Sequence, residues 1–156
     1  KMPSRCSFKT ERGMRGTIGV LFHLSILFLV ARLDAPQWAK AAGYGWVSLD
    51  VLAGILIIND VPYDTAWAVR LGAHVLAGTW IVAASLVNRS RIVAAAGIIT
   101  GVWLAGYSFV GTLLPEEALR PAGICILIWF AAIAVLNHPR QARPHIGAST
   151  AEPQPA

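Results

Sequence analysis

The sequence predicts an all-α integral membrane protein of five transmembrane helices, one N-terminal helix followed by two tandem two-helix hairpins. Three observations predict it. Of its 156 residues 56% are hydrophobic and 13% charged, about half the charge of a typical soluble domain. The mean hydropathy is +0.58. The charges gather at the two ends and in short gaps between apolar runs. This pattern excludes a disulfide-dense secreted scaffold, a disordered chain and an ordinary cytosolic enzyme.

A helix needs roughly 20 mostly apolar residues to cross a hydrocarbon core. Residues 1–15 read as a basic polar tail, and the membrane domain covers 16–137. Its first helix, 16–33, is short and needs flanking arginines or local thinning. A basic stretch, an apolar core and Ala31-Arg32-Leu33-Asp34-Ala35 also resemble a signal peptide; we read the segment as a retained helix. The second, 41–59, is interrupted only by Asp50. The third, 66–88, is apolar from Leu71 to Val87 and gains length if Arg70 snorkels. The fourth, 91–114, is the clearest, for Ile92–Leu114 carries no charge. The fifth, 121–137, starts at Pro121, a residue suited to the first turn of a helix. Residues 138–156, with four prolines, read as a disordered tail.

An offset of 49 residues brings Trp80, Ala83 and Asn88 onto Trp129, Ala132 and Asn137, and one of 47 brings Leu52-Ala53-Gly54-Ile55 onto Ile99-Thr100-Gly101-Val102. The hairpins 46–88 and 94–137 therefore read as two copies of one unit. Trp46-Val47 leading into Leu52-Ala53-Gly54-Ile55, then a turn and a second helix, resembles the SPW-repeat membrane proteins over residues 46–137. That resemblance implies one or two two-helix units and no particular activity. The Ser-Pro-Trp signature is absent; Asp60-Val61-Pro62-Tyr63 and Tyr107-Ser108-Phe109 stand instead.

Five spans put the termini on opposite faces. Lys1, Arg5, Lys9, Arg12, Arg15, Arg70 and Arg120 fall on the N-terminal face; Arg32, Lys40, Arg89, Arg91, Arg140 and Arg143 fall on the other. The positive-inside rule assigns no orientation from that balance. Gly97 and Gly101 form a GxxxG for close helix packing, with Gly72, Gly78, Gly106 and Gly111 adding small residues. Trp38, Tyr44, Trp46, Tyr63 and Trp67 suit interfacial belts, whereas Trp80, Trp103 and Trp129 lie deeper and suit packing or a cofactor.

Ionisable groups inside a membrane are functional candidates, and there are four: His23, Asp50, Arg70 and His74. The two histidines fall at one depth, roughly 9–12 Å below the N-terminal face at 1.5 Å per residue. A pair so placed could ligate haem b, with Arg70 on a propionate. The plainer reading gives each imidazole a neighbouring carbonyl, Ser25 or Thr79. Arg70 then snorkels beside Asp60 or Asp64, and Asp50, counted nearer the opposite face, pairs with Arg32 or Arg91. Cys6 and Cys125 read as free thiols. No nucleotide loop, zinc motif or nucleophile elbow occurs.

The expected function is therefore non-enzymatic: an accessory or scaffold subunit of a larger membrane complex. Its partners are the lipid bilayer and other membrane subunits or itself, and no nucleic acid. A haem b anchor for electron transfer through His23 and His74 is the alternative; a small-solute carrier is the third. Ten arginines to three lysines, with much alanine, suit a bacterial cytoplasmic membrane.

Overall fold

A computed structural model describes the backbone of residues 5–136 and the side chains of residues 13, 14 and 16–136. The expected tail 138–156 and the side chain of Cys6 lie outside the described residues. Among those described the chain is wholly helical, with five α-helices: α1 Arg5–Arg32, α2 Gln37–Ile58, α3 Tyr63–Leu86, α4 Arg91–Val110 and α5 Arg120–Leu136. A 3-10 turn, Glu116–Leu119, leads into α5. Four segments are long and apolar enough to cross a membrane: Gln37–Ile58, Tyr63–Leu86, Arg91–Val110 and Glu116–Leu136. Gly16–Arg32 is a shorter apolar helix.

The boundaries differ from the expected ones in instructive ways. Residues 5–15, expected in a tail, continue α1 as helix. Polar residues such as Lys9, Glu11 and Arg12 favour helix well enough to extend it beyond its apolar part. Helix α2 starts four residues before Ala41, because Pro36 closes the preceding segment and Gln37, Trp38, Ala39 and Lys40 form its first turn. Residues 111–114, expected to end the fourth helix, form a turn instead.

The turns explain the hairpins. After α2, Asp60 takes a left-handed backbone with φ 58°. The Val61 N–H donates to Leu56 O at 3.0 Å and the Asp60 N–H to Ile57 O at 3.3 Å, the paired bonds of a Schellman end. Pro62 follows and cannot continue the helix. Between α3 and α4, the Ser90 N–H donates to Asn88 Oδ1 at 2.9 Å. Ser90 Oγ in turn accepts from the Val93 N–H at 3.5 Å, capping α4.

Successive helices pack as antiparallel neighbours, with α3 innermost. It buries Ala66, Ala73, Ala77, Trp80, Ile81 and Ala84 among others, whereas α5 buries only the stripe Ala122, Ile126, Trp129 and Ile133. Glycine sets the closest approaches. A Cβ on Gly78 would collide with Gly101 O and stand 2.7 Å from Ala105 Cβ; one on Gly97 would collide with Ser85 Oγ and Trp129 Nε1. Gly72 and Gly106, expected to join that packing, face open space.

The outer surface is apolar. Phe28, Ile92, Phe109, Leu113 and Val135 stand largely exposed, an arrangement that water does not favour over so many helices. Inside, aromatic rings form a continuous file. His23 of α1 meets Trp46 of α2 edge-on at 5.9 Å between centroids. Trp46 meets Trp80 of α3 at 5.8 Å, and Trp80 meets Trp129 of α5 at 5.8 Å. Trp46 is therefore a core residue, 2% exposed, and not part of an interfacial belt. Trp103 departs in the other direction: it is half-exposed and donates to Ala118 O at 3.2 Å.

Candidate functional site

The α1–α2 contact puts a histidine against an acid. Gly16 lies across from Gly54 and Ile58, Val20 from Gly54, and Val30 from Gly43. Following that antiparallel register, His23 comes opposite Asp50. The His23 Nε2–Asp50 Oδ2 distance is 3.1 Å.

Asp50 is the hub of the site and only 1% exposed. Trp46 lies one turn before it on the same face of α2 and donates its indole N–H to Oδ2 at 2.6 Å. From α3, Arg70 donates through Nε to Oδ1 at 3.1 Å. Three helices thus converge on one carboxylate, and both of its oxygens are engaged. His74, one turn beyond Arg70 on α3, lies within electrostatic range of Asp50, Arg70 and His23. Its ring packs edge-on against Trp67 at 6.3 Å, and its Nδ1 is buried without a hydrogen-bond partner.

Two expectations are corrected here. Asp50 does not pair with Arg32 or Arg91, and Arg70 does not reach out to Asp60 or Asp64. The reason is depth. With α2 running from Gln37 to Ile58, Asp50 lies eight residues before its end. Arg70 lies seven residues after the start of α3 at Tyr63. Both measure roughly 10–12 Å from the same end of the bundle at 1.5 Å per residue, so the buried carboxylate finds the guanidinium across the hairpin. Neither Ser25 nor Thr79 serves a histidine: their hydroxyls donate to Phe22 O and Val75 O.

The bonding of His23 dictates its chemistry. Nδ1 lies 2.8 Å from Gly19 O, a carbonyl that can only accept, so a hydrogen bond there needs the proton on Nδ1. Nε2 faces the Asp50 carboxylate at 3.1 Å. A neutral imidazole has one N–H and one lone pair. Either neutral tautomer would therefore aim a lone pair at an oxygen lone pair, at Gly19 or at an ionised Asp50. The geometry is satisfied when one further proton lies on the His23–Asp50 axis, held as imidazolium and carboxylate or as imidazole and carboxylic acid. With Arg70 cationic, the centre then carries a net charge of +1.

The same bonding bears on haem. Both ring nitrogens of His23 are engaged by protein oxygens, and Arg70 is engaged by Asp50. The structure thus brings His23, Arg70 and His74 around a carboxylate, an arrangement that leaves His23 no free nitrogen for an iron and commits the Nε of Arg70 to Asp50. These residues do not fit the group as they stand. Gly97 and Gly101 lie apart from this centre, at the contacts of α4 with α3 and α5. Cys125 is an exposed free thiol on α5.

Sequence reasoning missed Trp46 as a ligand of the centre and Asp50 as its hub. The signal was present: Trp46 and Asp50 stand four residues apart, and counting back from Asn59 gives Asp50 the depth of Arg70. Comparison with protein-family models, with curated proteins and with solved structures finds no match.

Proposed function

We propose that this chain is a multi-pass protein of a bacterial cytoplasmic membrane, a non-enzymatic subunit of a larger assembly, and that its Asp50 centre holds an exchangeable proton within the bilayer. The double engagement of His23 carries the reading, because a proton between His23 and Asp50 would give both ring nitrogens a matching partner. Membrane residence is supported by the apolar helices and by the large hydrophobic side chains that cover their outer faces. Ionisable groups at that depth are costly unless paired, and they recur where proteins handle protons or ions. Arg70 lowers the cost by neutralising the carboxylate, so the centre alternates between neutral and singly positive as the proton leaves and returns. The subunit role rests on α5, which packs through one stripe and leaves Ile124, Leu127, Ile128 and Val135 exposed to lipid or a neighbouring chain. The two hairpins are proposed as copies of one unit, as the SPW-repeat likeness implies. The Trp80–Trp129 contact, between residues that the offset aligns, supports that reading.

A purely structural centre is the second reading, favoured by one observation: every polar atom of Asp50 has a partner, so the cluster could serve only to clamp α1, α2 and α3. Nitrogen-15 NMR of histidine-labelled chain in lipid bilayers separates the two. The proton-binding centre gives His23 two protonated ring nitrogens, or one nitrogen sharing its proton with Asp50, at neutral pH, and loses that signature reversibly in alkali. Asp50→Asn abolishes it. A His23 with one bare nitrogen, unchanged from pH 5 to 9 and indifferent to Asp50→Asn, would sink the proton reading and leave the clamp.

A further inference from the structure

A groove runs along the outer side of the α3–α4 contact, remote from the Asp50 centre; none of His23, Asp50, Arg70 or His74 lines it. It encloses about 350 Å³ and its walls are almost wholly apolar. That volume lies within the roughly 300–1,000 Å³ of small-molecule sites. Gly78, Thr79 and Leu86 of α3 and Gly101 and Val102 of α4 line it, with Trp38 of α2. The origin of the trench is steric. The two glycines let α3 and α4 approach until backbone meets backbone, and no side chain remains there to fill the outer angle between the helices.

The groove has a direction. It starts where α3 ends and α4 begins and descends along both helices. Gly78 lies two turns from the end of α3, and Gly101 about three turns into α4, so the trench reaches roughly 12–15 Å inward. That is the reach of much of a fatty acyl chain. Its open end adjoins the turn Asn88-Arg89-Ser90-Arg91, which contains no acid. Arg89 and Arg91 are exposed, and neither forms an ion pair among the described residues. Trp38, 63% exposed, stands at the same level, where an indole suits the headgroup region.

We infer that this groove holds one acyl chain of an anionic phospholipid, whose phosphate is bound by Arg89 and Arg91. The charge selects the occupant: guanidinium forks match phosphate oxygens, a bare acyl chain brings no phosphate, and a zwitterionic lipid adds a cation beside its phosphate, so only an anionic phospholipid brings net negative charge to the two arginines. The inference rests on the membrane reading above, but not on the proton.

The test is native mass spectrometry of the full chain in detergent, titrated with dioleoyl phosphatidylglycerol or dioleoyl phosphatidylcholine. One phosphatidylglycerol is expected to bind in preference to phosphatidylcholine. Arg89→Gln with Arg91→Gln should weaken that adduct roughly tenfold or more. Thr79→Phe, which fills the trench, and Val102→Phe, which narrows it from the half-exposed rim, should each weaken both lipids. Circular dichroism of every variant verifies that it is folded, and the rim variant keeps the test decisive if Thr79→Phe is not. Equal binding of the two lipids overturns the proposal, as does loss with the arginine variants alone, which would place the phosphate on the turn and leave the groove empty. A dimer that forms in place of the adduct also overturns it, in favour of a second copy as occupant. A chain that stays in solution without detergent would instead defeat the membrane reading, and the lipid site with it.

Discussion

The two histidines of the helix bundle, alike in the sequence, have opposite circumstances. His23 has a partner at each nitrogen, while His74 keeps a buried Nδ1 with none. An unmade bond on a buried polar atom costs about 1–3 kcal/mol, whereas a made one contributes about 1 kcal/mol net. We therefore expect His23→Leu to lower stability by about 2 kcal/mol and His74→Leu to leave it within about 0.5 kcal/mol or raise it, both read by thermal unfolding in detergent. Equal losses would show that His74 has a partner. At Asp50 the stakes are larger. Asp50→Asn keeps one acceptor oxygen where Trp46 and Arg70 now use two and strands the arginine's charge, which should cost about 3 kcal/mol. Arg70→Gln in the same chain should recover part of that loss, because it removes the charge left unpaired.

At the scale of the helix, the glycines divide into those that hold a contact and those that do not. Gly78→Ala places a methyl group against the backbone of α4 and should destabilise by about 1–3 kcal/mol. Gly106→Ala meets nothing and should stabilise by about 0.5–1 kcal/mol, since alanine restricts the unfolded chain and favours helix. Melting curves of the two variants check both signs. The sequence could say that Gly97 and Gly101 share a face, but which glycines meet a neighbour depends on helix rotation, and rotation is set by packing across several helices at once. The same limit hid the Asp50 centre. The existence of the helices was legible because a continuous apolar run has few other outcomes. The pairing was obscured at one boundary: a helix counted from residue 41 to 59 puts Asp50 at its middle, equally far from both ends, whereas one that starts at Gln37 puts it nearer the end it shares with Arg70. Trp46 was mistaken for a belt residue because an indole near the start of a span suits an interface as well as a core. Its carboxylate partner one turn away was the deciding clue.

For the molecule as a whole, the exposed apolar surface is the dominant physical fact. Membranes from expressing cells should retain the chain through alkaline carbonate extraction and release it to mild detergent; recovery in the carbonate supernatant would refute residence in the bilayer. The architecture also distributes stability unevenly. Helix α3 is held on several sides, α5 by a single stripe, and α1 chiefly through α2 and the Asp50 centre. Hydrogen exchange in detergent should accordingly protect α3 longest and release α5 early.

The file of rings from His23 through Trp46 and Trp80 to Trp129 makes the protein its own optical gauge. Indoles with centroids 5.8 Å apart pass excitation among themselves faster than they emit, so light absorbed at Trp129 is depolarised before it leaves. Detaching α5 breaks the Trp80–Trp129 step, and detaching α2 breaks the Trp46–Trp80 step. Fluorescence anisotropy of the unlabelled chain should therefore rise when either helix comes away.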